Sequence, residues 1–237
     1  MNLDTECAHL DTDALNLQLG SSTLTNVDSD KLLGVIIDKN LSWNAHVDSI
    51  CQKIKSRLFL LQKIRKFLPM SARKKFFNSY ILPHFDYCIA VWGSFEDVNY
   101  MKRLDRLVKK GMRLILGCPF DTPSNHMYLR LKWFPLKYRY KHVITQLVYK
   151  GLHGMAPPYI NELLRYYEPS TDMELRSVTR EDLDAPFAKK EIYRRCFSYV
   201  GPKFFNQLPV HVRQAKSFNA FKTCSHLHFY QEFRDTI

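Results

Sequence analysis

The chain has 237 residues, 46% of them hydrophobic and 14% aromatic, and a formal net charge of +12. That composition excludes a disordered polar chain, and no apolar run approaches the roughly 20 residues a membrane helix needs. The opening MNLDTECAHLDTDAL is acidic, which argues against a secretory signal, and six cysteines with no C-x-x-C pair imply reduced thiols in an intracellular protein.

The charge is unevenly spread. Residues 1–50 hold two basic and eight acidic side chains, net −6; residues 51–116 hold fifteen and four, net +11; residues 117–237 hold eighteen and eleven, net +7. A field this lopsided attracts a polyanion, and nucleic acid is the commonest one in cells. A solvated basic face with no partner is the plainer alternative.

In chain order, ALNLQLGSSTLTNV alternates Leu15, Leu17 and Leu19, turns at Gly20-Ser21-Ser22 and alternates again, which predicts a β-hairpin. The opening stretch is its expected third strand. KLLGVIID reads as a buried strand, with Gly34 marking a bulge or a close backbone approach. From Trp43 the period changes. Val47, Ile50, Ile54, Leu58, Leu61, Ile64 and Leu68 follow at steps of three or four, one face of a long helix with Ser42 as N-cap and Pro69 as its end. A second helix is expected from Ser71, kinked or ended by Pro83. Its first turn carries Arg73, Lys74 and Lys75, where cations oppose the helix dipole and so do not serve that helix's stability. Residues 96–116 form a third amphipathic helix, with Val98, Met101, Leu104, Val108, Met112 and Ile115 on its apolar face. Helices near 124–132 and 136–150 follow, and Pro157-Pro158 can start another. Residues 168–190 read as a polar, poorly packed linker. A last helix near 217–233 should bury Phe218, Phe221, Leu227 and Phe229.

The expected fold is mainly α with a small N-terminal antiparallel β element. Its parts are a β element at 1–40, a basic helical bundle at 41–116, a helical extension at 117–167, the linker, and an aromatic and helical segment at 191–237. No catalytic set is recognisable: neither G-x-x-x-x-G-K-[ST] nor H-E-x-x-H occurs. Asp11-Thr12-Asp13 fits a turn better than a cation site. Cys224, His226 and His228 point to different faces of a helix and do not converge on a metal, and Cys7 with His9 is no stronger. Trp43, Trp92 and Trp133 are expected in the core. The signal lies in the basic helices. Like charges crowded on neighbouring faces repel, and a phosphate backbone between them would relieve that repulsion. The cations expected to meet it are Lys53, Lys55, Arg57, Lys63, Arg73, Lys74, Lys102, Arg106, Lys109 and Arg113.

The motifs KLLGVIIDKNLSWNAHVDSI, YILPHFDYCIAVWG, LDRLVKKGMRLILG, LKWFPLKYRYKHVITQLVYKGLHGMAPPYI and FSYVGPKFFNQLPVHVRQAKSFNAFKT occur in an order that is itself informative. In that order and at that spacing, over roughly residues 15–228, the chain resembles the C-terminal part of the reverse transcriptase of non-LTR, LINE-type, jockey-like retrotransposons. The resemblance implies that the hairpin and the KLLGV strand end the palm, with Leu33 and Gly34 as a primer-grip-like backbone. It implies that the helices after Trp43 are a thumb holding an RNA or DNA template–primer duplex. It also implies a nuclear or cytoplasmic location and no membrane. The family's aromatic-Ala-Asp-Asp turn, which holds two Mg2+ ions, does not occur here, nor do fingers or an endonuclease. Phe205 stands where many relatives have tryptophan, and the terminal Cys/His knuckle of some relatives is missing. No catalytic residue, metal or cofactor is therefore expected in this chain, Mg2+ belonging to the missing palm. The expectation is a fragment without polymerase activity of its own. The alternatives are a stand-alone, non-specific nucleic-acid-binding module and a relic of a truncated element.

Overall fold

A computed structural model describes residues 18–23, 26–93, 99–167, 182–191 and 193–237. The fold is mainly helical with small antiparallel β elements near the N-terminus. The chain divides into two compact units, one ending at His46 and one beginning at Val47.

In the first unit, β1 (Gln18–Leu19) pairs with β2 (Ser22–Thr23) across Gly20-Ser21, with Gly20 at φ 63°. Strands β3 (Ser29–Leu32) and β4 (Val35–Asp38) form a second hairpin, Leu32 opposite Val35. KLLGVIID is thus not one buried strand. It folds back on itself at Leu33-Gly34, where φ is 47° and 87°. Two consecutive positive φ values are the signature of the type I′ hairpin turn, and Gly34 makes the second of them accessible. The turn lifts Leu32 and Leu33 outward, 61% and 83% exposed, and leaves Val35 as the buried residue of the hairpin. Residues 1–17, with the expected third strand, Asp11-Thr12-Asp13 and the Cys7–His9 pair, lie outside the described residues.

Asp38 organises the passage from hairpin to helix. Its carboxylate accepts from the backbone N–H of Asn40, Ser42 and Trp43, at 3.1, 3.0 and 3.0 Å, and from the Ser42 hydroxyl at 3.1 Å. Burial works to raise its pKa, but these hydrogen bonds outweigh it and hold the carboxyl below its ordinary value. They also stabilise Leu41 and Trp43 in left-handed conformations, φ 49° and 62°, which non-glycine residues seldom adopt. Helix α1 starts at Asn44, so the expected N-cap Ser42 lies one residue too early. Its hydroxyl still accepts from the Asn44 N–H at 3.5 Å.

Helix α1 (Asn44–Ile64) continues as a 3-10 turn (Arg65–Phe67) and ends before Pro69. In the second unit Val47, Ile50, Ile54, Leu58 and Leu61 are all buried, the stripe that the periodicity predicts. Helix α2 (Met70–Phe76) runs into a π-helical stretch, Phe77–Ile81. There the Leu82 N–H donates to the Phe77 carbonyl at 2.9 Å, five residues back. A π turn is wider than an α turn and makes room for Pro83, whose ring would otherwise meet the preceding turn. Short helices α3 (Pro83–Asp86) and α4 (Ile89–Trp92) follow.

Helix α5 (Asn99–Leu116) buries Met101, Leu104, Val108, Met112 and Ile115 as expected, and Tyr100, Leu107 and Leu114 besides; Val98 lies outside the described residues. After α6 (Ser124–Leu131) comes α7 (Leu136–Leu152), buried on nearly every face from Leu136 to Gly151. A helix with so little exposed face is central. Around it pack α4, α8 (Pro158–Glu162), α9 (Phe197–Asn206) and α11 (Phe218–Asp235), with α10 (Val210–Arg213) against α11. Pro158 starts α8 as predicted. Helix α11 has Ser217 as N-cap, accepting from the Ala220 N–H at 3.2 Å. It buries Phe221, Ser225, Phe229 and Phe233 at i+4 steps. Leu227, expected inside, is 60% exposed because it lies half a turn from that stripe.

In the described part of the expected linker, 182–190, Leu183 and Ala188 are buried while Asp184, Ala185, Phe187, Lys189 and Lys190 are exposed. Leu183 is 2% exposed and bridges Tyr166 in antiparallel fashion. The Asn206 side-chain amide accepts from its N–H at 2.9 Å and donates to its carbonyl at 2.8 Å. Arg213 donates to Asp182 at 2.9 Å. A composition-based reading misses this because the partners, Tyr166, Asn206 and Arg213, come from distant parts of the chain. Trp92 is buried and donates from Nε1 to the Tyr87 carbonyl at 2.8 Å. Trp43 is 9% exposed, whereas Trp133 is only partly covered, its ring 5.1 Å from that of Phe77.

Candidate nucleic-acid interface

With their apolar stripes in the core, α1 and α5 leave their cations outward. Lys53, Lys55, Lys63, Lys102, Arg106 and Lys110 are exposed, and Arg57, Lys109 and Arg113 half-buried. The two helices meet through an ion pair between Arg103 and Asp48. Beside it the Cys51 thiol is pushed up by burial, more than Arg103 and Lys55 pull it down, so it stays protonated and unreactive.

The cations differ in what already holds them. Lys53 and Arg57 share one turn of α1: the Arg57 guanidinium donates to the Lys53 carbonyl at 3.0 Å and lies 4.8 Å from the Tyr80 ring centre. His84 lies in the same field. Burial lowers its pKa, and the charges of Arg57 and Lys53 lower it further. Lys63 lies over the exposed Phe59 ring at 5.3 Å and Arg113 over Phe120 at 4.8 Å. Lys109 pairs with Asp105 at 2.6 Å.

Arg73 and Lys74 are turned inward to other helices. Arg73 donates to the Leu114 carbonyl at 3.1 Å, in the last turn of α5. Lys74 donates to the Leu131 carbonyl at 2.8 Å, at the end of α6, with its ammonium 5.9 Å from the Trp133 ring centre. Helix C-termini carry unpaired carbonyls and the negative end of the dipole. In α2 itself they lie in the last turn, not in the first as expected, and their side chains reach the C-terminal carbonyls of two other helices.

One concavity gathers several cations. A cavity of about 400 Å³ between α5 and the start of α7 is lined by Met101, Lys102, Asp105, Arg106, Lys109, Pro135, Leu136 and Lys137. Three of the ten cations singled out from sequence meet there. The fourth, Lys137, was missed because it lies in the aromatic run WFPLKYRY, outside the basic helices. Leu33 and Gly34 occupy the tip of the β3–β4 hairpin in the first unit. Among the described residues no three His, Cys, Asp or Glu side chains come together to hold a metal ion, and no helix is long and apolar enough to cross a membrane. His226 packs against Phe134 and His142, while His228 lies against Phe229.

No protein family and no solved structure matches the chain. A stretch of 105 residues is 27% identical to the "Probable RNA-directed DNA polymerase from transposon X-element" of Drosophila melanogaster. The match takes in 43% of this chain and only 12% of the relative, a transposon polymerase that is the longer of the two.

Proposed function

We propose that this chain is the template–primer-holding part of a non-LTR retrotransposon reverse transcriptase, from the C-terminal side of such an enzyme. Its helices α1 and α5 grip an RNA or DNA duplex by its phosphates. What supports this most is that both helices bury an apolar stripe in the core and carry cations on their outer faces, on a chain similar to an RNA-directed DNA polymerase. Lys53, Lys55, Arg57 and Lys63 on α1, and Lys102, Arg106, Lys109 and Arg113 on α5, meet the backbone without reading bases. Arg73 and Lys74 stand behind them as helix caps. Leu33 and Gly34, at the hairpin tip, face the primer terminus as backbone. Polymerisation itself belongs to a palm that this sequence does not include.

Anisotropy titrations of a labelled RNA–DNA duplex over a range of salt concentrations test this. Binding should be indifferent to sequence and fall steeply with salt. The Lys53→Ala/Lys55→Ala protein should bind every sequence more weakly, with its log K against log[salt] slope flatter by up to about 1.8. A folded double variant with unchanged affinity and slope would remove α1 from the interface. Metal- and dNTP-dependent primer extension by the pure chain would refute the assignment of catalysis to a missing palm.

A further inference from the structure

We infer that the groove between α5 and the start of α7 takes one unpaired nucleotide of the bound strand, with its phosphate on Lys102, Arg106 and Lys137 and its base against Met101, Pro135 and Leu136. This rests on the function proposed above and adds to it a site that a duplex alone would leave empty.

The argument begins with charge. Four cations and one carboxylate line a space of about 400 Å³. The carboxylate, Asp105, is already engaged by Lys109 at 2.6 Å and by the Tyr128 hydroxyl, which donates to it at 3.1 Å. The lining therefore keeps an excess of positive charge in a concave setting, where walls of low dielectric focus the field. A phosphate is the anion that such a set of ammonium and guanidinium groups suits, through charge-assisted hydrogen bonds. Helix α7 begins at the same groove with no acidic residue in its first turn, so the positive end of its dipole adds to the field.

Shape decides between duplex and single strand. A duplex is convex and carries its phosphates on the outside, so it can bridge a groove without filling it. The volume is that of a small-molecule pocket and matches a nucleotide. The apolar part of the lining is Met101, Pro135 and Leu136; Pro135 is half-buried and presents the most surface, since Met101 and Leu136 are each 4% exposed. A base that has left its stack gains by covering such a surface. Both helices bring cations and apolar residues to the one cavity, so phosphate and base each find partners in it.

Calorimetry on the full chain, with ADP and inorganic pyrophosphate as probes, tests the groove directly. ADP should bind about tenfold more tightly than pyrophosphate, the difference being the contribution of the base. Arg106→Ala/Lys137→Ala should weaken ADP by about tenfold or more, whereas Lys53→Ala/Lys55→Ala should leave it unchanged. The wild-type chain should also prefer a duplex with a single-stranded overhang to a blunt one, and Arg106→Ala/Lys137→Ala should lose that preference. Arg106→Gln/Lys137→Gln, which keeps more of the side-chain bulk, repeats the test if the alanine variant fails to fold. No ADP binding, or ADP binding untouched in the folded variants, overturns the groove. If duplex binding still depends on Lys53 and Lys55 in that case, the proposed function survives. ADP binding lost with Arg106 and Lys137, in a protein that ignores RNA and DNA, overturns both the strand-holding function and the assignment of the groove to a nucleotide of a bound strand.

Discussion

Gly111 shows how one missing side chain can set the packing of two helices. It lies in the middle of α5, where helix propensity alone favours alanine over glycine by about 1 kcal/mol. A Cβ there would stand 2.2 Å from Cε2 of Phe77 and 2.9 Å from its Cδ2. Phe77 is fully buried in the π-helical stretch and packs on Trp133, and the cavity beside it is only about 50 Å³, so its ring has little room to move. Overpacking outweighs propensity. Gly111→Ala should therefore lower stability by about 1–3 kcal/mol, measured by urea unfolding. Adding Phe77→Leu should recover part of the loss. A stability gain from Gly111→Ala alone would mean that the ring yields, and that the glycine has no packing role.

At the scale of elements, Arg73 and Lys74 carry the clearest lesson. The dipole argument expects them in the first turn of their own helix, whereas α2 starts at Met70 and holds both in its last turn, where cations are favourable. It does not say which partner they have, because the ends of α5 and α6 reach them only through the tertiary fold. Arg73→Ala and Lys74→Ala should each cost about 1 kcal/mol through a lost charge-assisted cap. Lys53→Ala, on the exposed face of α1, should stay within about 0.5 kcal/mol. Equal, negligible losses at all three positions would make the caps incidental. The long helices were legible for the opposite reason: α1 and α5 are periodic enough for their apolar positions to fix their extents within a few residues. The β3–β4 hairpin was not, since Leu33 hides a turn inside an apolar run and only the paired positive φ values reveal it. The site was legible in its charges but not in its concavity, because Lys137 joins Lys102, Arg106 and Lys109 from a helix that sequence reading assigns to another region.

Over the whole molecule, stability against acid should depend on histidines that the fold keeps neutral. His142 sits on the central helix, 8% exposed, with its Nδ1 3.2 Å from the Ser225 hydroxyl and its ring edge-on to those of Phe134, His226 and Phe229. Burial, then the charges of His226, Arg139 and Lys222, push its pKa down from 6.5 to about 3. Burial also lowers His226 and His228, although Glu232 works against the shift at His228. An unfolded chain takes up a proton at His142 near pH 6.5; the folded one refuses it until about pH 3. Between those values the unfolded state binds more protons, so stability is fully present above pH 6.5 and falls as pH drops towards 3. One such group can contribute a slope of up to about 1.4 kcal/mol per pH unit. Urea midpoints measured from pH 7.5 down to pH 4.5 should therefore fall steadily. They should fall less steeply for His142→Gln, which is less stable at pH 7.5 but has no proton to bind. Asp38, held below the usual carboxylate range, titrates beneath that interval and does not account for the slope. Parallel lines for the wild type and His142→Gln would show that His142 gains its proton without opening the core around α7 and α11, and would remove burial as the source of the acid sensitivity.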